Sequence, residues 1–188
     1  MNNTKRLIFE SALKVFSECG YNGAIMDDIA FRAGVAKGTL YYHFTSKEEI
    51  FKFTITEGMN LVKEKIEAVT FIQVNPIEKL KALCKVELSL VYDNRDFFKV
   101  IMSQLWGQES RQLDLREVIH NHIKLLEEFI QPAMDGGFIK KTEASFVAYT
   151  IFGTVCSAAI YELLRNDKAE TGDVIENLMN YILNGIGV

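Results

Sequence analysis

Proline is almost missing from this chain: among 188 residues there are two, Pro76 and Pro132. Proline breaks helices by removing an N–H donor and clashing with the preceding turn. Its scarcity, with apolar residues recurring every three or four positions, predicts an all-α protein. Cysteine is scarce too. Cys19, Cys84 and Cys156 are odd in number and far apart, which suits a reducing cytosol and offers no metal-binding spacing. Long apolar runs are also missing. The most apolar stretch, 146–164, is interrupted by Thr150, Gly153, Thr154, Ser157 and Glu162. It falls short of the roughly 20 apolar residues of a membrane span, and a packed or dimer-forming helix is the better reading. Residues 1–6 lead straight into a capped amphipathic helix, so no cleavable signal peptide is expected. The expected location is cytoplasmic, with no membrane partner.

Catalytic patterns are absent as well. There is no Gly-rich phosphate loop, no Ser or Cys nucleophile elbow and no metal-spaced His/Asp cluster. The histidines are His43, His120 and His122. His120 is expected to be exposed, and two residues apart on a helix it faces away from His122, a poor metal pair. No catalytic residue, metal or cofactor is expected. A strong basic excess is lacking too, since the net charge is −4. The distribution qualifies this. Residues 1–47 hold six Lys/Arg (Lys5, Arg6, Lys14, Arg32, Lys37, Lys47) against four acids (Glu10, Glu18, Asp27, Asp28), a net +2 that leaves −6 for 48–188. Such a small excess argues for specific contacts by two copies rather than nonspecific basic binding.

What is present is concentrated between residues 26 and 49. Residues 26–32 read as a short helix, Ala33-Gly34-Val35-Ala36 as a tight turn, and Lys37-Gly38-Thr39-Leu40-Tyr41-Tyr42-His43-Phe44 as a second short helix. Hydroxyl, phenol, imidazole and ammonium groups crowd onto about two turns, and they suit phosphate oxygens and base edges better than a protein interior. Helix, Gly-containing turn and second helix form a helix-turn-helix, whose second helix enters the major groove.

Over residues 3–50 the chain resembles the N-terminal domain of TetR-type transcriptional regulators. The resemblance rests on Phe16-Ser17-Glu18-Cys19-Gly20-Tyr21, Asp28-Ile29-Ala30, Ala33-Gly34-Val35, Gly38-Thr39-Leu40-Tyr41-Tyr42-His43-Phe44 and Lys47-Glu48 at fixed spacings. It implies DNA contact by Thr39, Tyr41, Tyr42, His43 and Lys47. Thr39 and Tyr42 would offer hydroxyls to phosphates, Lys37 and Lys47 would add charge, and Tyr41 and His43 would reach base edges or the sugar wall. Gly38 would let the backbone approach the duplex, while Leu40 and Phe44 point inward onto Ile29 and Val15. Members commonly carry Thr or Ser just before the first helix of the motif; this chain has Ala24-Ile25-Met26 there.

The rest is expected to be helical, giving about nine helices and two domains: 1–47, a three-helix DNA-binding domain, and 48–188, a ligand-binding and dimerisation domain. The first helix, about 4–19, stacks Leu7, Ile8, Ala12, Val15 and Phe16 and stops at Gly20. Ser46 and Glu49 form a capping box opening a long helix through Ile66. Asn75-Pro76 starts another, to about 92. Others are expected at 96–106, after a polar stretch from 107 to 114 at 115–134, ended by Pro132 and Asp135-Gly136-Gly137, at 142–164, and, past the charged loop 165–170, at 171–186.

Two ionisable residues sit on apolar stripes. Glu87 lies amid Leu80, Leu83, Cys84, Leu88 and Val91, and His122 amid Leu115, Val118, Ile119, Leu126 and Phe129. A carboxylate on an apolar face is costly unless paired. The two are expected in one cavity lined by Phe97, Met102, Trp106 and Phe152, with Cys84 beside them, or else as a mutually satisfied core pair. The expected function is a homodimeric regulator of a pseudo-palindromic operator in double-stranded DNA. The last two helices would form the dimer, through small residues (Ala144, Ala148, Gly153, Ser157, Ala158, Ala159) and apolar Ile151, Val155, Leu178, Ile182 and Ile186. A small apolar or cationic effector would control it, and the resemblance implies a repressor. The alternatives are redox or protein control of the same dimer, or a small enzyme or carrier without DNA binding.

Overall fold

The structure, a computed structural model, describes residues 1–164 and 171–186; the expected loop 165–170 and the side chains of Ala159 and Ile186 lie outside the described residues. The protein is all-α, with nine helices among the described residues: α1 (Asn3–Gly23), α2 (Met26–Arg32), α3 (Lys37–His43), α4 (Lys47–Phe71), α5 (Pro76–Asp93), α6 (Arg95–Gln104), α7 (Ser110–Asp135), α8 (Ala144–Leu164) and α9 (Thr171–Ile186). No helix among the described residues is long and apolar enough to cross a membrane.

The chain divides into two compact units. The first comprises Met1–Asn60 and Asp96–Val118, the second Leu61–Arg95 and Ile119–Val188. In the first, α1 is capped by Asn2, whose side chain accepts from the Lys5 N–H at 2.8 Å, and its regular course is broken at Gly20 (φ 67°). A left-handed φ is open to glycine at little cost. Gly34 (φ 66°) does the same in the turn before α3. Phe16, Tyr21 and Phe51 form an aromatic triad, Phe51 meeting both others edge-on at 5.4 and 5.3 Å. Residues 96–118 belong to the same unit: the Ser17 hydroxyl donates to Asp96 at 2.6 Å, and Phe97 fills the space left by the missing side chain of Gly58.

Two local expectations need correction. The polar stretch 107–114 already holds the start of a helix, because α7 begins at Ser110 and not at the expected 115. The Glu109 N–H donates to the Gln112 side chain at 3.0 Å, one half of a capping box, and Arg111 and Gln112 are buried. Polar composition hid a helix start. At the other end Pro132 does not stop α7, which runs through it to Asp135; so late in a helix the ring removes one donor without ending the turn.

In the second unit α5 packs on α8 and α9, and α8 on α9. Asn75 caps α5 by accepting from the Ile77 N–H at 2.9 Å, with Pro76 in the first turn. Leu80, Leu83, Leu88, Ile123, Leu126, Ile130, Ala148 and Ile151 are fully or almost fully buried. Burying a leucine or isoleucine side chain contributes about 1.5–3 kcal/mol.

Candidate functional site

In the first unit α3 is held from beneath and open above. Leu40 is 0% and Phe44 3% exposed, and they rest on the same core as Ile29 and Val15, each 0% exposed. Tyr42 is 85% and Tyr41 45% exposed. Lys37 and Gly38 are exposed, while Thr39 and His43 are half-buried. Tyr42 and His43 meet edge-to-face at 5.2 Å. At Gly38 a β-carbon would meet only open space.

Lys37, Arg32 and Lys47 are each engaged within the head. The Lys37 ammonium is 2.6 Å from Asp27, whose hydrogen bond raises the Lys37 pKa. Arg32 pairs with Glu18 at 2.6 Å and Asp28 at 3.3 Å, and the Glu18 bond raises its pKa. Lys47 has turned inward: its ammonium donates to the Ala24 carbonyl at 2.9 Å and the Asn22 carbonyl at 3.3 Å, and lies 4.7 Å from the Tyr21 ring. It ties the start of α4 to the end of α1. Over the same ring stands the Arg111 guanidinium, 3.9 Å from the centroid and bonded to Gln104 and Glu109. Burial raises the Tyr21 phenol pKa, with Arg111 pulling the other way. Sequence reasoning missed Arg111 and Asp27, because nothing in a linear pattern reports a partner 90 residues away or across a turn.

α2 starts without a side-chain cap: Ile25 holds the capping position and is 64% exposed. Asp27 and Asp28 stand in its first turn, where carboxylates complement the positive end of the helix. The Ser46 hydroxyl accepts from the Glu49 N–H at 3.1 Å, and Glu49 reaches back to the Thr45 N–H at 2.7 Å. That backbone bond is the main cause of a lowered Glu49 pKa.

In the second unit Glu87 and His122 meet. Their side chains are 3% and 5% exposed, with Nε2 of the imidazole 2.7 Å from Oε1 of the carboxylate. The approach does not have the alignment of a hydrogen bond, so the oxygen is close to its partner yet poorly satisfied. Phe152 stands edge-on to His122 at 6.3 Å. Burial, and then the charge of Glu87, push the Cys84 thiol up to about 12 and the Cys156 thiol up to about 11. Glu87, His122, Cys84 and Phe152 therefore belong to one unit. Phe97, Met102 and Trp106 belong to the other: Phe97 is buried, Met102 half-buried and Trp106 79% exposed.

α8 also has an open face. Phe146, Tyr149, Gly153, Ser157, Ile160 and Leu164 are exposed, spaced to lie along one side of a helix. Tyr181 of α9 is 75% exposed. A groove of about 530 Å³ is lined by residues of both helices, including Phe146, Ile151, Thr154, Tyr181 and Ile182. Of the residues expected to supply interface area, Ile151, Val155 and Ile182 are buried within the protomer itself. Aromatic and small residues form the outer face instead.

Residues 8–52 match the bacterial regulatory proteins of the tetR family. Along its length the chain is 44% identical to a Clostridium perfringens protein with a proposed role as fatty acid metabolism regulator; the likeness covers 97% of this chain and 99% of that one, with a TM-score of 0.89. It is 26% identical over 184 residues to the fatty acid metabolism regulator protein of Bacillus subtilis (strain 168), covering 95% of this chain and 93% of the relative. The Bacillus subtilis regulator FadR, solved in complex with stearoyl-CoA, superposes over 96% of this chain and 98% of that one with a TM-score of 0.86; at 22% identity that likeness is one of fold. The helix-turn-helix match thus sits inside a likeness that spans the whole chain, and the protein belongs to the TetR family of bacterial transcriptional regulators.

Proposed function

We propose that the chain is a dimeric repressor of fatty acid metabolism genes that leaves its operator when a fatty acyl-CoA binds its C-terminal part. Residues 1–47 serve as the DNA-binding domain and 48–188 bind the effector and the second copy. The observation that carries this reading is the 44% identity to a fatty acid metabolism regulator over nearly the entire chain. C-terminal domains in this family diverge widely, so a likeness extending through them bears on the effector, which one confined to the head would not. The relative solved with stearoyl-CoA supports an acyl-CoA as the ligand class. Glu87 already faces His122, which speaks for a neutral or anionic effector over a cationic one that would need a free counter-charge. Redox control finds no support at Cys84 or Cys156, whose raised pKa values leave little thiolate at neutral pH.

The effector acts only if it binds one head spacing better than the other; equal affinity for both shifts nothing. On the operator, Thr39 and Tyr42 contact phosphates while Tyr41 and His43 read or brace the groove. The outer face of α8, with Gly153 and Ser157 between aromatic residues, supports the dimer contact, and placing Arg at Gly153 should yield monomers in sedimentation. The decisive experiment titrates the protein–promoter complex with CoA and with acyl-CoAs of increasing length. Release by long-chain acyl-CoA and not by CoA is expected. Retention of DNA across the whole series would reject the effector class and leave the DNA-binding assignment standing.

A further inference from the structure

A head built to meet a polyanion carries acids against its cations. Lys37 opens α3, the helix whose outer face is offered to DNA, and its ammonium is 2.6 Å from Asp27 in the first turn of α2. The pair joins two helices that already pack on one another, with Ile29 and Leu40 each 0% exposed, so α3 has a buried anchor besides the pair. Both side chains are half exposed or more. An exposed pair of this kind is readily broken by a competing anion. The neighbouring Arg32 is matched in the same way by Glu18 and Asp28.

We propose that Asp27 is an electrostatic brake on DNA affinity, holding Lys37 in an ion pair that a DNA phosphate must displace. The physical basis is ion exchange. A cation that neutralises a phosphate releases counterions from the duplex, and affinity falls with salt by about 0.9 in log–log slope per phosphate contact. When Lys37 leaves Asp27 for a phosphate, the bared carboxylate takes up a cation from solution. Net ion release is smaller, and so are the salt slope and the low-salt affinity. Nonspecific binding rests almost wholly on phosphate contacts, whereas operator binding keeps its base-edge contacts. The brake bears hardest on arbitrary sequence, in keeping with a head whose basic excess is only +2.

The inference rests on the reading of α3 as the DNA-contacting helix, and its test separates the two. Wild type, Asp27→Asn, Lys37→Gln and the double variant are titrated with a random-sequence 30-base-pair duplex across a KCl series. Asp27→Asn is expected to bind several-fold tighter at low salt, with a slope steeper by up to about 0.9 per head. In the Lys37→Gln background the same substitution should have less than half that effect. A carboxylate that serves only the end of α2 would lower the melting temperature and leave the slope unchanged. Equal slopes for wild type and Asp27→Asn, or equal changes with and without Lys37, overturn the brake. Wild type that binds neither this duplex nor promoter DNA would remove the DNA-contact reading beneath it.

Discussion

The pairs around α3 in the first unit and the pair between α5 and α7 in the second are placed in opposite ways. In the first, Lys37–Asp27, Arg32–Glu18 and Arg6–Glu10 lie in contact with solvent, with side chains 35–62% exposed. In the second, Glu87 and His122 are 3% and 5% exposed. A surface pair exchanges its partner for water or phosphate with little penalty. A buried pair cannot be opened without leaving one member uncompensated in a medium of low dielectric. The first arrangement suits a surface that engages and releases a polyanion. The second links α5 to α7, and any ligand that reaches it must compete with a contact already made.

The strongest test of this contrast removes half of the buried pair. His122→Ala should destabilise the protein by about 3–5 kcal/mol in urea titration, because it leaves the Glu87 carboxylate buried without a partner. Replacing both, Glu87→Leu with His122→Leu, should be neutral or stabilising by about 1–4 kcal/mol. If the single variant loses less than about 1 kcal/mol, the pair is not buried as described. In the first unit the matching core test is Gly58→Ala. Its β-carbon would enter the ring of Phe97, itself only 4% exposed. Overpacking of this kind costs about 1–3 kcal/mol, against a helix-propensity gain of about 1 kcal/mol. A net loss is expected, and a stabilised variant would mean that Phe97 moves freely.

The same contrast explains what could be read before the fold was known. The head was legible because its constraints are local: Gly34 at its turn, Leu40 and Phe44 beneath α3, Ser46 and Asn75 at helix starts. Each is a fixed offset along one chain. Glu87 and His122 were visible only as exceptions to apolar stripes 35 residues apart in sequence, and stripe spacing cannot say which residues share a unit. Phe97, Met102 and Trp106, expected beside them, fall in the other unit. The inward turn of Lys47 and the burial of Arg111 were invisible for a related reason. A long cationic side chain can lay its stem and head along apolar or aromatic surface, and composition reports only the charge.

A smaller effect is expected where a functional side chain carries no structural duty. Tyr42 is 85% exposed, so Tyr42→Ala should leave unfolding free energy within about 0.5 kcal/mol of wild type. DNA affinity should nevertheless fall by about 1 kcal/mol, near fivefold, as loss of one hydrogen bond to phosphate does. The fall should be alike on operator and random duplex, because phosphate contacts carry no sequence information. A drop confined to the operator would move Tyr42 to the base-reading set.

The smallest effect expected concerns the thiols, and it separates effector control from redox control. Cys19 is exposed, Cys156 half-buried and Cys84 buried. Burial first, then Glu87, push Cys156 up to about 11 and Cys84 up to about 12. The thiolate is the reactive form, so from pH 7 to 9 both should stay protonated in the folded protein. The sign for stability follows. A group whose folded pKa is raised binds its proton more tightly when folded, so its contribution is intact below the unfolded value near 8.5 and is lost as pH rises through 11 to 12. At pH 7.5 a thiol reagent should therefore modify Cys19 rapidly and the other two only on the timescale of unfolding, with all three reacting in denaturant. Reagent-treated protein should keep its wild-type affinity for promoter DNA and its response to acyl-CoA. Rapid modification of Cys84 or Cys156, accompanied by release of DNA, would instead place the switch at the thiols.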